Sequence, residues 1–489
     1  MSQERFKKFI LLHSNDMHGD FLAEAQGTEG KLIGGLSLLS GYINKVRREE
    51  KNVIYVIAGD MLQGSMIDSE HKGVSTMEIM NYLAPDVVCL GNHELDYGLP
   101  HLLFLEKLAN FPIVNANIYI KKFHKRLMRP HLVLSVDGFD ILFIGITTED
   151  VLNRIKLERD ISTFVGLEDA SAEVGKICNA YKNDDIDLTI LLTHIGFDAD
   201  KELAAMLNPE WGVDMIIGGH SHTLLDQPAV VNDIIISQAG VGTDQIGRFD
   251  IMVDDETNSI VEWKWQLIPI SNTIAEPDVE LQKFIDSFQE GVDRKYNTIL
   301  THLARELTHP SRDQETSLGN LFADILAERA NADVAFLISG SIRGEQLGPL
   351  VKLGDLKRLF PYDSALFQVA VSGALLKQIF RFNLAPGERK RRILQVSKGV
   401  KAVYDDRKQE LESLTINGLP VQDEARYSIC LQEYYFENSV ERLGVTKEQL
   451  IALAGSQVVT TSVQDVIEET LRHRQNITSQ VEGRLVFKG

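Results

Sequence analysis

Cysteine is scarce. Only Cys89, Cys178 and Cys430 occur in 489 residues, and no two form a CxxC pair. A sparse, odd set in a chain of this length argues against a disulfide framework. Cys89 sits in the apolar run Val87-Val88-Cys89-Leu90 and reads as a small buried hydrophobe. Long apolar runs are lacking too. None approaches the roughly 20 residues that a membrane span needs. The first run, Phe9 to His13, is too short for the core of a secretory leader. The expectation is therefore no membrane partner and a cytoplasmic location. Positive charge is in deficit: 50 Lys and Arg face 70 Asp and Glu, a formal net charge of −20. Such a surface repels a long phosphate polymer, so nucleic acid is not an expected partner. A small anionic substrate gathered by local cations is still compatible with it. No repeat or low-complexity tract interrupts the chain, and 44% hydrophobic with 25% charged residues is a globular profile. The length exceeds what one core serves, which gives two domains as the starting expectation.

What is present is a mixed α/β pattern. Short runs rich in Val, Ile and Leu recur at Phe9–Leu12, Val53–Ile57, Val87–Leu90, Ile141–Ile146, Leu188–Leu192 and Met215–Ile217. Several are apolar on both faces, as strands of a sheet covered on both sides are. Helical patterns, such as Leu36–Glu50 and Leu102–Ala109, lie between them. From about residue 235 the texture changes to strands at Ile234–Gln238, Arg248–Val253 and Ile260–Leu267. Pro277 to Asn297 reads as one amphipathic helix with the stripe Leu281, Phe284, Ile285 and Phe288. These features predict a first domain over 1–275, a linker helix over 276–300 and a second mixed domain over 301–489. Arg389-Lys390-Arg391-Arg392 reads as a solvated basic turn.

The informative feature is where the strands of the first half end. Phe9–His13 leads into Asn15-Asp16-Met17-His18-Gly19, Val53–Ile57 into Gly59-Asp60, and Val87–Leu90 into Gly91-Asn92-His93-Glu94. Leu188–Leu192 leads into Thr193-His194, and Met215–Ile217 into Gly218-Gly219-His220-Ser221-His222. In layered α/β folds, side chains at the carboxyl ends of strands meet at one crevice. Each block alone is a weak string; five at corresponding strand ends converge on one site. Aspartate, asparagine and histidine donors suit divalent zinc, manganese, iron or cobalt. There are enough of them for two ions, and one shared carboxylate would set those ions about 3.5–4 Å apart. His13 reads as structural or as support for a ligand, and Asn115 as a turn residue.

In this order the five blocks resemble the calcineurin-like metallophosphoesterases. Their spacing and the second half of the chain resemble the 5′-nucleotidase branch, which includes UDP-sugar hydrolases and cyclic-nucleotide phosphodiesterases. The likeness runs from about residue 8 to 487. It implies a four-layer α/β/β/α sandwich followed by a smaller α/β C-terminal domain. It also implies roles. Asp16, His18 and His222 hold one divalent ion, Asn92, His194 and His220 hold the other, and Asp60 bridges them. His93 faces the substrate phosphate beside Asn92, and Asp96 orients His93. The implied chemistry is hydrolysis of a phosphate ester by a water acidified at the two ions, with no serine or cysteine nucleophile.

The second half matches less evenly. Glu315-Thr316-Ser317-Leu318-Gly319-Asn320-Leu321, Gly354-Asp355-Leu356 and Phe360-Pro361-Tyr362 fit the branch. Leu337-Ile338-Ser339-Gly340-Ser341-Ile342-Arg343 resembles the loop that supplies a phosphate-binding arginine, which points to Arg343. The branch stacks a nucleobase between two aromatics. Here the first is replaced by Ile393, and Tyr434-Tyr435-Phe436 is the nearest source of the second, with Tyr434 the expected face. The expected substrate is a small phosphorylated molecule, foremost a nucleotide cleaved by a phosphomonoesterase. Cyclic nucleotides, UDP-sugars and non-nucleotide esters are the alternatives, with a catalytically silent binding protein or a nuclease behind them.

Overall fold

The structure, a computed structural model, describes residues 5–27, 30–120, 123–148, 162–164, 166–389 and 393–489. Lys390 to Arg392 of the basic cluster therefore lie outside the described residues. The chain forms two compact units, Met1–Val292 and Asp293–Gly489. The division falls inside the helix Val279–Tyr296.

The first unit is built on two six-stranded sheets. One runs Ser259–Pro269, Gln245–Asp254, Phe6–Ser14, Val53–Ala58, Val87–Cys89 and Ile113–Val114 in spatial order. Its last four strands are parallel, and Gln245–Asp254 pairs antiparallel with Phe6–Ser14. The other sheet runs Ala229–Val231, Ile234–Ser237, Met215–Ile217, Leu188–His194, Phe139–Thr147 and His131–Val136. Its central four strands are parallel.

Side chains alternate across each strand, so each sheet buries two faces. Phe9, Leu11, Ile54 and Val56 from the first sheet meet Ile141, Phe143, Ile190 and Ile217 from the second in a core between the sheets. The opposite face of the second sheet, with Ile144, Leu191 and Ile216, packs on Val174, Ile177 and Leu203 of the helices Leu167–Ala180 and Phe197–Met206. On the first sheet the alternate residues Ile10, Leu12, Tyr55 and Ile57 are equally buried. The helices Leu36–Glu49 and Val74–Leu83 on that side bury Leu39, Ile43, Met77 and Met80. The layers are helix, sheet, sheet, helix. Two-sided burial is why the strand sequences read as continuous apolar runs.

In the second unit a five-stranded sheet orders Leu394–Val396, Val334–Ile338, Arg426–Gln432, Leu366–Ser372 and Ser456–Thr460. A four-stranded sheet joins Leu419–Pro420, Glu410–Ile416, Val400–Asp405 and Leu485–Lys488. The helices Ser317–Ala330 and Val463–His473 share one core with Ala335, Leu337 and Cys430, and Gly373–Leu384 shares another with Val371, Ile429 and Leu414. The Glu315 block is the anchor of this unit. The Glu315 carboxylate accepts Asn320 Nδ2 and the amides of Glu482 and Arg484, each at 2.7 Å. It thereby ties the last strand to the start of the helix.

Candidate metal centre

Five strand ends of the first unit supply the site. The register pairs Ser14 with Ile57 and Ala58 with Cys89, so those strands stop level with one another. Beyond them the backbone turns sharply. Asp16, His18, Asp60, His220 and His222 all take positive φ, at 51°, 49°, 55°, 80° and 53°. Left-handed backbone costs about 1–3 kcal/mol per non-glycine residue and persists only where surrounding structure imposes it. Here the two turns hold each other: Asp16 N donates to Gly59 O at 3.0 Å, His18 N to Asp60 O at 3.0 Å and Gly19 N to Met61 O at 2.9 Å.

The side chains so placed come together. His194 Nε2 lies 3.0 Å from Asp60 Oδ2, 3.8 Å from Asp16 Oδ1 and 3.2 Å from Asn92 Oδ1. His222 Nε2 is 3.4 Å from Asp16 Oδ1 and 3.1 Å from His18 Nε2. His18 Nε2 and His93 Nε2 are each 4.0 Å from Asp60 Oδ2. Three overlapping groups have all donor atoms within 4.8 Å of one another: Asp16 with His18 and His222, His18 with Asp60 and His93, and Asp60 with His194 and His220. Asp16, Asp60, Asn92 and His194 are buried, whereas His222 is exposed.

On three of the rings the far nitrogen is fixed. His194 Nδ1 donates to Ala58 O at 2.7 Å, His18 Nδ1 to Leu62 O at 3.2 Å, and His93 Nδ1 to Asp96 Oδ2 at 2.6 Å. Such outer bonds set the tautomer and leave Nε2 as the electron-pair donor. Acceptor atoms are thus crowded together, a set whose chemistry fits divalent cations. Burial opposes a charge on His194, yet Asp60 and Asp16 outweigh it and raise its pKa to about 9, so a cation held there would displace the proton from Nε2. Burial likewise works against the Asp60 charge, and His194 and His93 hold that carboxyl well below the usual carboxylate range.

Glu94 and Asn117 carried no role in the sequence reading, whereas Asn115 and His13 did. Glu94 is fully buried and its carboxylate accepts four backbone amides: Asp60 at 3.1 Å, Met61 at 2.7 Å, Leu62 at 3.2 Å and Gly91 at 2.7 Å. Its place in Gly-Asn-His-Glu was the available signal. Asn115 does more than make a turn. Its Nδ2 donates to Thr147 Oγ1 at 2.8 Å, across the two sheets, and Asn117 Nδ2 donates to Thr147 O at 2.7 Å. His13 is structural: its ring is stacked at 5.4 Å on Trp265, and neither nitrogen has a hydrogen-bond partner among the described residues.

Arg343 and Tyr434 belong to the second unit. Arg343 is exposed, with its guanidinium 4.8 Å from the centre of the exposed Tyr362 ring. Of the aromatic triplet, Tyr435 and Phe436 are core residues. Phe436 stacks on Phe367 at 4.4 Å, which removes both from the expected candidates for a stacking face. Tyr434 alone is exposed, and Arg442 Nη2 donates to its hydroxyl at 2.6 Å. Ile393 is buried in the same core as Phe436.

The calcineurin-like phosphoesterase model matches residues 9–224, and the 5′-nucleotidase C-terminal domain model matches residues 297–442. The chain is 28% identical to the 5′-nucleotidase-related protein of Glossina morsitans morsitans, over 88% of this chain and 83% of that protein. It is 25% identical to the Endonuclease YhcR of Bacillus subtilis (strain 168) over 77% of this chain, spanning only 33% of that relative's length. Among solved structures, a 5′-nucleotidase precursor from Thermus thermophilus shares the fold, with a TM-score of 0.61 at 21% identity and 99% of each chain covered. The chain belongs to the calcineurin-like phosphoesterases, in the 5′-nucleotidase branch that joins this catalytic domain to this C-terminal domain.

Proposed function

We propose that the protein is a 5′-nucleotidase-type phosphomonoesterase that releases phosphate from nucleotides at two divalent cations, with manganese, zinc, iron and cobalt the chemically suited ions. The observation that carries this is the convergence of Asp16, His18, Asp60, Asn92, His194, His220 and His222 from five strand ends into overlapping donor groups. When bound, two such ions supply Lewis acidity, acidifying a water and offsetting charge on the phosphoryl oxygens. In the assigned roles, Asp16, His18 and His222 hold one ion, Asn92, His194 and His220 the other, and Asp60 bridges. His93 reaches the phosphate with Nε2, because Nδ1–H is committed to Asp96. It stabilises the charge that grows on the phosphoryl group and delivers a proton to the leaving oxygen as the P–O ester bond breaks. Asp96 compensates the imidazolium that precedes that transfer. In the second unit, Arg343 and Tyr434 are assigned to substrate, with the planar guanidinium suited to a bidentate phosphate contact.

A second reading has its own support. The position of the first stacking aromatic is a core isoleucine, and two of the three candidate second aromatics are buried. A leaving group other than a nucleoside, or a UDP-sugar or cyclic nucleotide held differently, accords with that change. Nucleic acid remains disfavoured by the net charge of −20. A cytoplasmic setting belongs to the same reading and accords with three free, buried thiols. Among the described residues no helix is long and apolar enough to cross a membrane.

Phosphate release is to be measured with Mn2+ from nucleoside monophosphates, cyclic nucleotides, UDP-glucose and sugar phosphates, with single-stranded DNA cleavage assayed alongside. Nucleotide turnover that disappears in Asp60→Ala is the expected result. Turnover confined to non-nucleotide esters would move the substrate assignment while keeping the site, and turnover of none would overturn both.

A further inference from the structure

A buried carboxylate outside the ligand set joins the two loops that carry three of the proposed ligands. Asp200 lies on the helix Phe197–Met206 and is completely buried. Thr193 Oγ1 donates to its Oδ1 at 2.6 Å, and Gln238 Nε2 donates to its Oδ2 at 2.9 Å. Thr193 immediately precedes His194. Gln238 follows the strand Ile234–Ser237 and reaches the neighbouring loop twice. Its Nε2 lies 3.2 Å from Gly219 O, and its Oε1 accepts Ser221 Oγ at 3.0 Å. Ser221 Oγ in turn accepts the Phe197 amide at 3.0 Å, closing the circuit at the start of the Asp200 helix. The Gly196 amide adds a bond to Gly219 O at 3.0 Å. Thr193 and Gln238 are as buried as Asp200.

The same carboxylate accounts for a glycine. A Cβ on Gly218 would run into Asp200 Oδ2. The loop therefore passes against Asp200 at a distance that only glycine allows, just before the residues that bear His220 and His222.

We propose that Asp200 is a positioning residue that locks the His194 strand end to the Gly218–His222 loop and thereby sets the affinity of the metal centre. This rests on the two-metal reading above. The carboxylate touches no ligand nitrogen, so its action is through Thr193 and Gln238. Buried networks of this kind orient ligands, and breaking one typically lowers metal affinity about 10–100-fold.

The test is calorimetric titration of the EDTA-stripped full chain with Mn2+ alone, alongside the metal-free thermal midpoint. Asp200→Leu keeps the branched outline of the side chain, with bulkier methyl groups in place of the oxygens, and removes both acceptors. It is expected to weaken Mn2+ binding by about 10–100-fold, with phosphate release recovering as Mn2+ is raised. Asp200→Asn can accept from Gln238 and donate to Thr193 Oγ1, so it is expected to restore most of the affinity. A folded Asp200→Leu protein that binds Mn2+ as the parent does would overturn the inference. Should Asp200→Leu fail to fold, Thr193→Val decides, since it removes one arm only. Weakened binding supports the clamp, and unchanged binding overturns it. A parent chain that binds no Mn2+ overturns the metal reading itself, whereas normal parent binding with indifferent variants overturns the clamp alone.

Discussion

His93 and Asp96 are the residues whose roles separate most cleanly by experiment. The 2.6 Å bond between them fixes the ring, and Asp96 has no other assigned part in the chemistry. Removing a positioned acid–base group typically costs about 10²–10⁴ in rate, so His93→Ala is expected to fall in that range. Asp96→Ala is expected to cost about 10–100-fold, as a supporting carboxylate does. Because Asp96 acts through His93, the double variant is expected to be no slower than His93→Ala. Steady-state kcat for the four proteins measures this, and additive losses would give Asp96 an independent role. At this scale the sequence was legible wherever a side chain terminates an apolar run, which is why Asp16, Asp60, Asn92 and His194 stand out. The role of Asp200 was not legible, and Glu94 was marked only by its place in the Gly-Asn-His-Glu string. A carboxylate that serves backbone amides or a neighbouring hydroxyl is indistinguishable from a solvated one until its burial is known.

The elements were largely written in the apolar runs. The runs at Phe9–Leu12 and Val53–Ile57 lie inside the strands Phe6–Ser14 and Val53–Ala58, and the stripe Leu281, Phe284, Ile285 and Phe288 lies on the helix Val279–Tyr296. The turns were not, because the left-handed backbone at five proposed site residues is imposed by contacts between loops that are distant in sequence. Gly219 shows the constraint most directly. A Cβ there would stand 2.5 Å from Ala58 O and 2.9 Å from His194 Nδ1, the two atoms whose mutual bond orients the His194 ring. Gly219→Ala is therefore expected to push that ring out of place. Overpacking of this kind costs about 1–3 kcal/mol of stability. Metal affinity is expected to fall further than the shift in thermal midpoint implies, because the ligand itself moves. Mn2+ titration beside a metal-free melt tests this, and a variant with a lowered midpoint but parental affinity would show that the loop relaxes elsewhere.

The whole molecule was legible as two mixed halves, while how each half uses its buried polar groups was not. All three tryptophans, Trp211, Trp263 and Trp265, lie in the first unit, so tryptophan fluorescence, excited where tyrosine does not absorb, reports on that unit. Stripping divalent ions with EDTA is expected to lower its midpoint, since a ligand present at 100 times its Kd contributes about 2.7 kcal/mol by mass action. In the stripped protein a second dependence becomes readable. His13 is completely buried between Phe249 and Trp265 and has no hydrogen-bond partner among the described residues; burial alone pulls its pKa from 6.5 down to about 3. Between those values the unfolded chain binds a proton that the folded one refuses. The stability of the first unit therefore falls as pH drops below 6.5, by up to about 1.4 kcal/mol per pH unit, and the loss is complete near the folded value. His13→Leu removes both the titration and an unpaired buried polar group. Its fluorescence-detected midpoint is expected to match or exceed the parent's at about pH 7, and the gap is expected to widen steadily towards about pH 5 in the variant's favour. Parallel midpoints across that interval would mean that the His13 ring finds a partner or water that relieves its burial, and that acid sensitivity of this unit arises from other groups.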